Sequence, residues 1–198
     1  MKNLIYLFVF ILMSGCDDSN DGELAEPLSK SEIENLQYLK EEEKLARDVY
    51  LYALDLYGQF VFENIANSEQ AHMNSVTVML DKYEIPDLSY EAMGVFYNEE
   101  LQNLYNELIS LVDKSLQEAF LAGASIEDLD IYDLNNFIST TDHPDLQNLY
   151  EVLSCGSRNH MRTFSQEIAN TGTVYLPQYI SAEEYALILE GEMEKCGN

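Results

Sequence analysis

The chain predicts an all-α protein: a four-helix bundle with a long crossover between the second and third helices and a short C-terminal helix. Three observations carry that reading. Four long segments place apolar residues at alternating three- and four-residue steps, the spacing of a buried helix face. The prolines, Pro27, Pro86, Pro144 and Pro177, fall outside those segments, where helix breakers belong. No stretch alternates apolar and polar residues over a useful strand length.

The first helix is expected from Ser31 to Tyr57, with Leu36, Leu39, Glu43, Ala46, Tyr50, Ala53 and Tyr57 on one stripe. Ser31 and Glu34 form its candidate capping box. A stripe one position over, through Tyr38, Glu42, Leu45, Val49 and Tyr52, is the alternative. The second helix is expected from Gln59 to Tyr83 on Phe62, Ile65, Glu69, His72, Val76, Met79 and Tyr83. About thirty residues follow, holding a shorter helical pattern from Leu101 to Val112, long enough for a crossover connection. The third long helix is expected from Ser115 to Ile138 on Leu116, Phe120, Gly123, Glu127, Asp130, Leu134 and Phe137. The fourth runs from Asp145 to Asn170 on Leu146, Tyr150, Leu153, Ser157, His160 and Phe164. A last short helix starts at Ser181 with Glu184 in its first turn.

Composition narrows the function. The 198 residues carry 36 Asp and Glu against 10 Lys and Arg, a formal charge of −26. Such a chain is repelled by phosphate backbones, so nucleic acid is excluded as a partner. Its 14 Tyr and 8 Phe are far more than a disordered acidic chain would hold. The length suits one domain, expected over residues 31–198. Most of the carboxylates are read as solvated faces.

Residues 1–15 read as a leader. MKNLIYLFVFILMSGC has Lys2, an apolar run of about ten residues and then small residues before Cys16, the layout of a secretory signal. The run is shorter than the roughly 20 residues of a membrane span. MSGC resembles a bacterial lipobox, which implies cleavage before Cys16, lipidation of that cysteine, and a membrane lipoprotein on the extracytoplasmic side. Residues 16–30 then form a polar tether. In that oxidising setting Cys155 and Cys196 are candidates for one disulfide, pinning the C-terminal tail to the last core helix.

The centre of each stripe is polar. Glu43 interrupts the first, Glu69 and His72 the second, Glu127 and Asp130 the third, and His160 the fourth. A carboxylate in a core position costs several kcal/mol unless its charge is compensated. One or two shared cations are the simplest compensation. Carboxylates with imidazoles suit iron, manganese or zinc, and Glu69-x-x-His72 puts both ligands on one helix face. The competing reading is a metal-free polar network in which His160 and Ser157 bond to Glu or Asp.

EEEKLARDVY, with Glu43, Ala46, Arg47 and Tyr50 in the pattern Glu-x-x-Ala-Arg-x-x-Tyr, resembles the first helix of rubrerythrins. SEQAHM resembles their second-helix Glu-x-x-His. NIANSEQAHM, IEDLDIYDL, GSRNHMRTF and YLPQYIS further resemble a bacterial domain-of-unknown-function family in the ferritin-like superfamily, over about Leu36 to Tyr185. The resemblance implies a ferritin-like bundle holding two iron ions. Glu43 would be a terminal ligand and Glu69 a bridge, with His72 and His160 one on each metal. Glu127 would be the third-helix ligand, with Asp130 beside it. The sequence departs from that pattern on the fourth helix, where Ser157 stands in place of a glutamate.

Two functions follow. One is a metal-dependent oxidoreductase or ferroxidase-like protein. The other is a non-enzymatic lipoprotein whose helices bind one structural metal or a partner protein. His143 reads as a solvated loop residue. Arg158 and Arg162 read as partners of buried acids near the site. Tyr50, about two helical turns from Glu43, is a candidate radical or ligand-supporting residue, but with 14 tyrosines in the chain it reads as a chance neighbour.

Overall fold

The structure, a computed structural model, describes residues 27–197. Among these, every regular element is a helix: α1 Lys30–Tyr57, α2 Phe60–Lys82, α3 Glu99–Val112, α4 Leu116–Thr140, α5 Pro144–Asn170 and α6 Ala182–Glu190. The expected leader, Cys16 and most of the expected tether lie outside the described residues. No described helix is long and apolar enough to cross a membrane.

The start of α1 corrects the expected cap. Ser29 is the N-cap: its Oγ accepts the Glu32 N–H at 3.3 Å, and its own N–H donates to the Glu32 carboxylate at 2.8 Å. Both Ser29-x-x-Glu32 and Ser31-x-x-Glu34 fit the box pattern. The earlier one also places Leu28 and Ile33 at the staple positions, and both pack on a core cluster. The later one would place Lys30 there. Lys30, expected in the tether, is therefore the first residue of α1. Pro144 is likewise inside α5, at its first turn, where a missing N–H leaves nothing unpaired. Ser115 and Ser181 cap α4 and α6 through the N–H groups of Glu118 and Glu184.

Packing pairs α1 with α2 and α4 with α5. In addition α1 meets α4, α2 meets α5, α3 lies on α1 and α4, and α6 lies on α5. The short links at residues 58–59 and 141–143 make the two main pairs antiparallel hairpins. Two apolar clusters fill the interior. One gathers Leu36, Leu39, Val76, Leu80, Leu134, Leu146, Tyr150 and Leu153. The other gathers Leu45, Val49, Tyr50, Phe62, Ile65, Phe120, Ile126, Met161, Phe164 and Ile168. Each buried Leu, Val or Phe contributes about 1.5–3 kcal/mol. On α1, α2 and α5 the residues Glu43, Glu69, His72 and His160 fall between a stretch in one cluster and a stretch in the other, and on α4 Glu127 and Asp130 lie near the same changeover.

Both alternative stripes of α1 are largely covered, the second by α3 and α4, where Glu42 and Leu45 face Leu104, Leu108, Ile126 and Leu129, and the segment between α2 and α3 covers a third face. Gln37, Glu41, Lys44 and Asp48, spaced four, three and four apart, hold that segment. Gln37 donates to the Pro86 carbonyl at 2.9 Å. The Glu41 carboxylate accepts the N–H groups of Tyr97 and Asn98 at 2.7 and 2.8 Å. Lys44 donates to the carbonyls of Ala92 and Val95 at 2.9 and 3.2 Å, and to Asp48 at 2.6 Å. Asp48 accepts the Gly94 N–H at 2.9 Å, and Gly94 has φ 73° with the Tyr105 ring where a Cβ would stand. A covered loop leaves backbone groups that need partners, and α1 supplies them. On α4, Asp128 does the same for the turn before α6, accepting from the Tyr175 hydroxyl and the N–H groups of Gln178, Tyr179 and Ile180.

Asp48→Ala would leave the Lys44 ammonium buried without its counter-charge. The expected loss is about 3–5 kcal/mol in urea unfolding. A loss below about 1 kcal/mol, the range of a solvent-exposed pair, would contradict this role.

Candidate metal centre

The interruptions expected on four helices meet at one place. Glu43 on α1, Glu69 and His72 on α2, Glu127 on α4 and His160 on α5 are all buried. Glu69 sits in the middle. Its Oε2 lies 2.8 Å from His72 Nδ1, which is also 3.1 Å from Glu43 Oε2. Its Oε1 lies 2.9 Å from His160 Nδ1, which is 3.4 Å from Glu127 Oε2. Two triads therefore share Glu69: Glu43, Glu69 and His72, and Glu69, Glu127 and His160. Within each, one potential ligand atom per residue lies within 4.8 Å of the others.

Neighbouring residues fix the rings and carboxylates. The imidazoles stack with centroids 5.6 Å apart and planes at 28°. His160 Nε2 pairs with Ser68 Oγ at 3.0 Å, so a proton kept there leaves the Nδ1 lone pair facing the carboxylates. A Cβ at Gly156 would stand 2.6 Å from His72 Nε2; only glycine lets α5 approach that ring. The Tyr50 hydroxyl donates to Glu127 Oε1 at 2.5 Å. Ser157 donates to Asp130 Oδ2.

Burial pulls both imidazoles down, but the surrounding carboxylates outweigh it. Glu43 and Glu69 hold His72 well above its usual range, and Glu69 with Glu127 holds His160 at about 10. Burial also pushes Glu69 up, yet the two imidazoles keep it well below the usual carboxylate range. For Glu43 burial wins over His72 and lifts the carboxyl to about 7. Burial raises Glu127 and Asp130 too, with neighbouring carboxylates adding to the shift. In protein atoms alone, then, the cluster is balanced by imidazolium charge and carboxyl protons.

The donor set fits a cation on a separate observation. Glu43 Oε1, Glu69 Oε1, Asp130 Oδ1 and His160 Nδ1 are buried without a hydrogen-bond partner. Glu69 Oε1 and His160 Nδ1 are among them although they lie only 2.9 Å apart, because the pair is not aligned as donor and acceptor. Two lone pairs converging without alignment on each other suit a third atom between them.

Of the six predicted ligands, five form the triads. Asp130 is buried beside them, held by Ser157, and belongs to neither triad. Three other expectations are corrected. Tyr50 is no chance neighbour but binds Glu127. Arg158 and Arg162 pair with Glu194 of the C-terminal tail rather than with acids of the site. His143 is half-buried at the N-cap of α5, its ring edge-on to Tyr83 at 6.3 Å. Glu42, on the alternative stripe, is buried against Asp133; burial raises both carboxyls, and two facing carboxyls need a shared proton. A disulfide joins Cys155 and Cys196, with 5.5 Å between their Cα atoms.

Fold and site together define an all-helical protein with a buried carboxylate–imidazole cluster. The chain belongs to the family described as "Uncharacterized protein domain (DUF2202)", which matches residues 32–192. It is 47% identical over 174 residues to "Uncharacterized protein MJ0754" of Methanocaldococcus jannaschii, covering 87% of this chain and 94% of that relative. The crystal structure of hypothetical protein MJ0754 from Methanococcus jannaschii DSM 2661 matches with a TM-score of 0.84 at 48% identity, covering 85% of this chain and 97% of that one. These descriptions name a family and carry no activity.

The imidazole shifts set a pH dependence for chelator-treated protein. His160 stands at about 10 when folded, against 6.5 for an ordinary histidine. Its stabilising contribution is complete below the unfolded value and is lost as pH rises through the folded one. Urea midpoints are expected to fall between pH 7 and about 10. A flat profile would contradict protonated imidazoles as the metal-free balance.

Proposed function

We propose that the chain is a membrane-anchored, ferritin-like metal-binding protein whose cluster holds two divalent cations. The central position of Glu69 carries the reading, since each of its oxygens faces a different imidazole and a different outer carboxylate. Glu43, Glu69 and His72 would hold one ion, and Glu69, Glu127 and His160 the other. Asp130 would supply a fourth negative charge beside them. Iron or manganese suits this donor set first and zinc next.

In this reading α1, α2, α4 and α5 are the bundle and the segment bearing α3 is the crossover. The core supports it. α2 ends in the cluster of Val76 and Leu80, whereas α4 begins in the cluster of Phe120, so the chain returns along the bundle between them. The MSGC leader supports the lipid anchor at Cys16. The Cys155–Cys196 disulfide supports an extracytoplasmic site, where such bonds persist.

A bound iron or manganese pair would supply one-electron chemistry toward oxygen or a peroxide, which makes an oxidoreductase or ferroxidase-like activity the enzymatic form of this reading. The protein's part is positional. Ser68 sets the His160 tautomer, Tyr50 fixes Glu127, and Gly156 gives His72 its place. One observation favours a second reading, a single structural ion without catalysis: Ser157 replaces the second Glu of the double Glu-x-x-His pattern, and Asp130 bonds to it instead of joining a triad.

Anaerobic loading of the purified full-length chain with Fe(II), followed by desalting, tests the proposal. About two ions per chain are expected, about one in His160→Ala and essentially none in Glu69→Ala, as a shared ligand requires. Circular dichroism checks that each variant is folded. Visible absorption appearing on exposure to oxygen would support the redox form. One ion with no oxygen response would favour the structural reading, and no iron in any sample would overturn both.

A further inference from the structure

The cluster has two unlike sides. Its carboxylate side, lined by Glu42, Glu43, Glu69, Ile126, Glu127 and Asp130, has no room for a water molecule. Its imidazole side borders a cleft of about 350 Å³ between α2 and α5. His72 and His160 form part of the lining, with Ser68, Ser75, Gly156 and Asn159 around them. The remaining polar wall is not part of either helix: it is Glu194 and Cys196 of the C-terminal tail.

That tail is fastened twice. Arg158 grips the Glu194 carboxylate through Nε at 2.8 Å and Nη2 at 2.5 Å, and Arg162 Nη2 adds a contact at 2.8 Å. Asn159 accepts the Glu194 N–H at 2.8 Å and donates to its carbonyl at 3.0 Å. These bonds are partly exposed and open reversibly. The second fastening is covalent, from Cys155 in α5 to Cys196, 41 residues on. Cys155 is buried while Cys196 is exposed, so an external thiolate reaches the Cys196 sulfur.

We propose that this cleft is the entrance by which a divalent cation reaches the cluster, and that the Cys155–Cys196 bond is a thiol-operated latch across it. Closed, the bond holds the tail against the imidazole edges. A dithiol reductant opens it: one thiolate attacks the Cys196 sulfur, the S–S bond breaks, and Cys155 leaves as a thiolate that takes up a proton. The reductant's second thiol then displaces Cys196, so two protein thiols appear as the reductant becomes a disulfide. The tail is left with its reversible fastening alone and swings clear. The cleft suits a hydrated cation, because hydroxyl, amide and carboxylate oxygens line it and the chain's net charge is −26. The cation half of the inference rests on the reading proposed above, whereas the latch half stands without it.

The test compares three metal-free forms of the full-length chain: oxidised, reduced with dithiothreitol, and Cys196→Ser, which removes an exposed atom and leaves the core intact. After the dithiothreitol is removed, hydroxyl-radical modification of each histidine, which does not need an unprotonated ring nitrogen, is followed by mass spectrometry. His72 and His160 are expected to react about tenfold faster in the reduced and variant forms, in proportion to the open population. His143, outside the cleft, is expected to keep its rate. Equal rates for His72 and His160 in all forms overturn the latch, and so does a rise shared by His143, which would mean general loosening. Co(II) uptake by the oxidised chain and Cys196→Ser is then timed by absorbance. Faster uptake in the variant supports the entrance. Faster histidine modification with no Co(II) bound in either protein supports the latch and overturns the cation.

Discussion

Ionisable groups buried among apolar side chains are the constraint on which this structure depends. Glu43, Glu69, Glu127 and Asp130 stand with two imidazoles between two apolar clusters. Such a group is tolerated only if protons, hydrogen bonds or cations offset its desolvation. Glu69 organises the offset here, since both halves of the cluster converge on its two oxygens. The surrounding details follow. Tyr50 is spent on Glu127, Ser68 on His160, and α5 gives up a side chain at Gly156 so that His72 fits.

Acids also serve a second purpose in this acidic chain. Glu41 and Asp48 collect backbone N–H groups from the long connection, Asp128 from the turn before α6, and Glu194 ties the tail through two arginines. Each turns an irregular segment into a fixed cover by satisfying groups that would otherwise be stranded. The middle of α1 is consequently polar on two faces, one toward the cluster and one toward the connection. That divided helix explains why EEEKLARD is so densely charged and yet so deeply buried.

Periodicity made the helices and the depth of the six polar residues readable in advance, because a three-four stripe encodes which positions face inward. It could not encode what depends on another helix. Gly156 matters only through its distance to His72, and Ser68 only through the ring of His160. The two α1 stripes could not be ranked, since α3 and α4 cover the second one and their packing on α1 is not written in the α1 pattern. The capping register slipped by two because Ser-x-x-Glu occurs twice in six residues. The side-chain signal for Tyr50 was masked by the abundance of tyrosine, and the arginine partners lay in a tail with no pattern to betray its path.

Whether cations or protons balance the cluster is the central question, and diffraction answers it most directly. Crystals of the full-length chain, soaked anaerobically with Mn(II), would be measured across the manganese absorption edge. Two anomalous peaks are expected on either side of Glu69, one beside Glu43 and His72 and the other beside Glu127 and His160. No peak near Glu69, with both imidazoles hydrogen-bonded to the carboxylates, would contradict the account and leave a proton-balanced network at the centre of the helices.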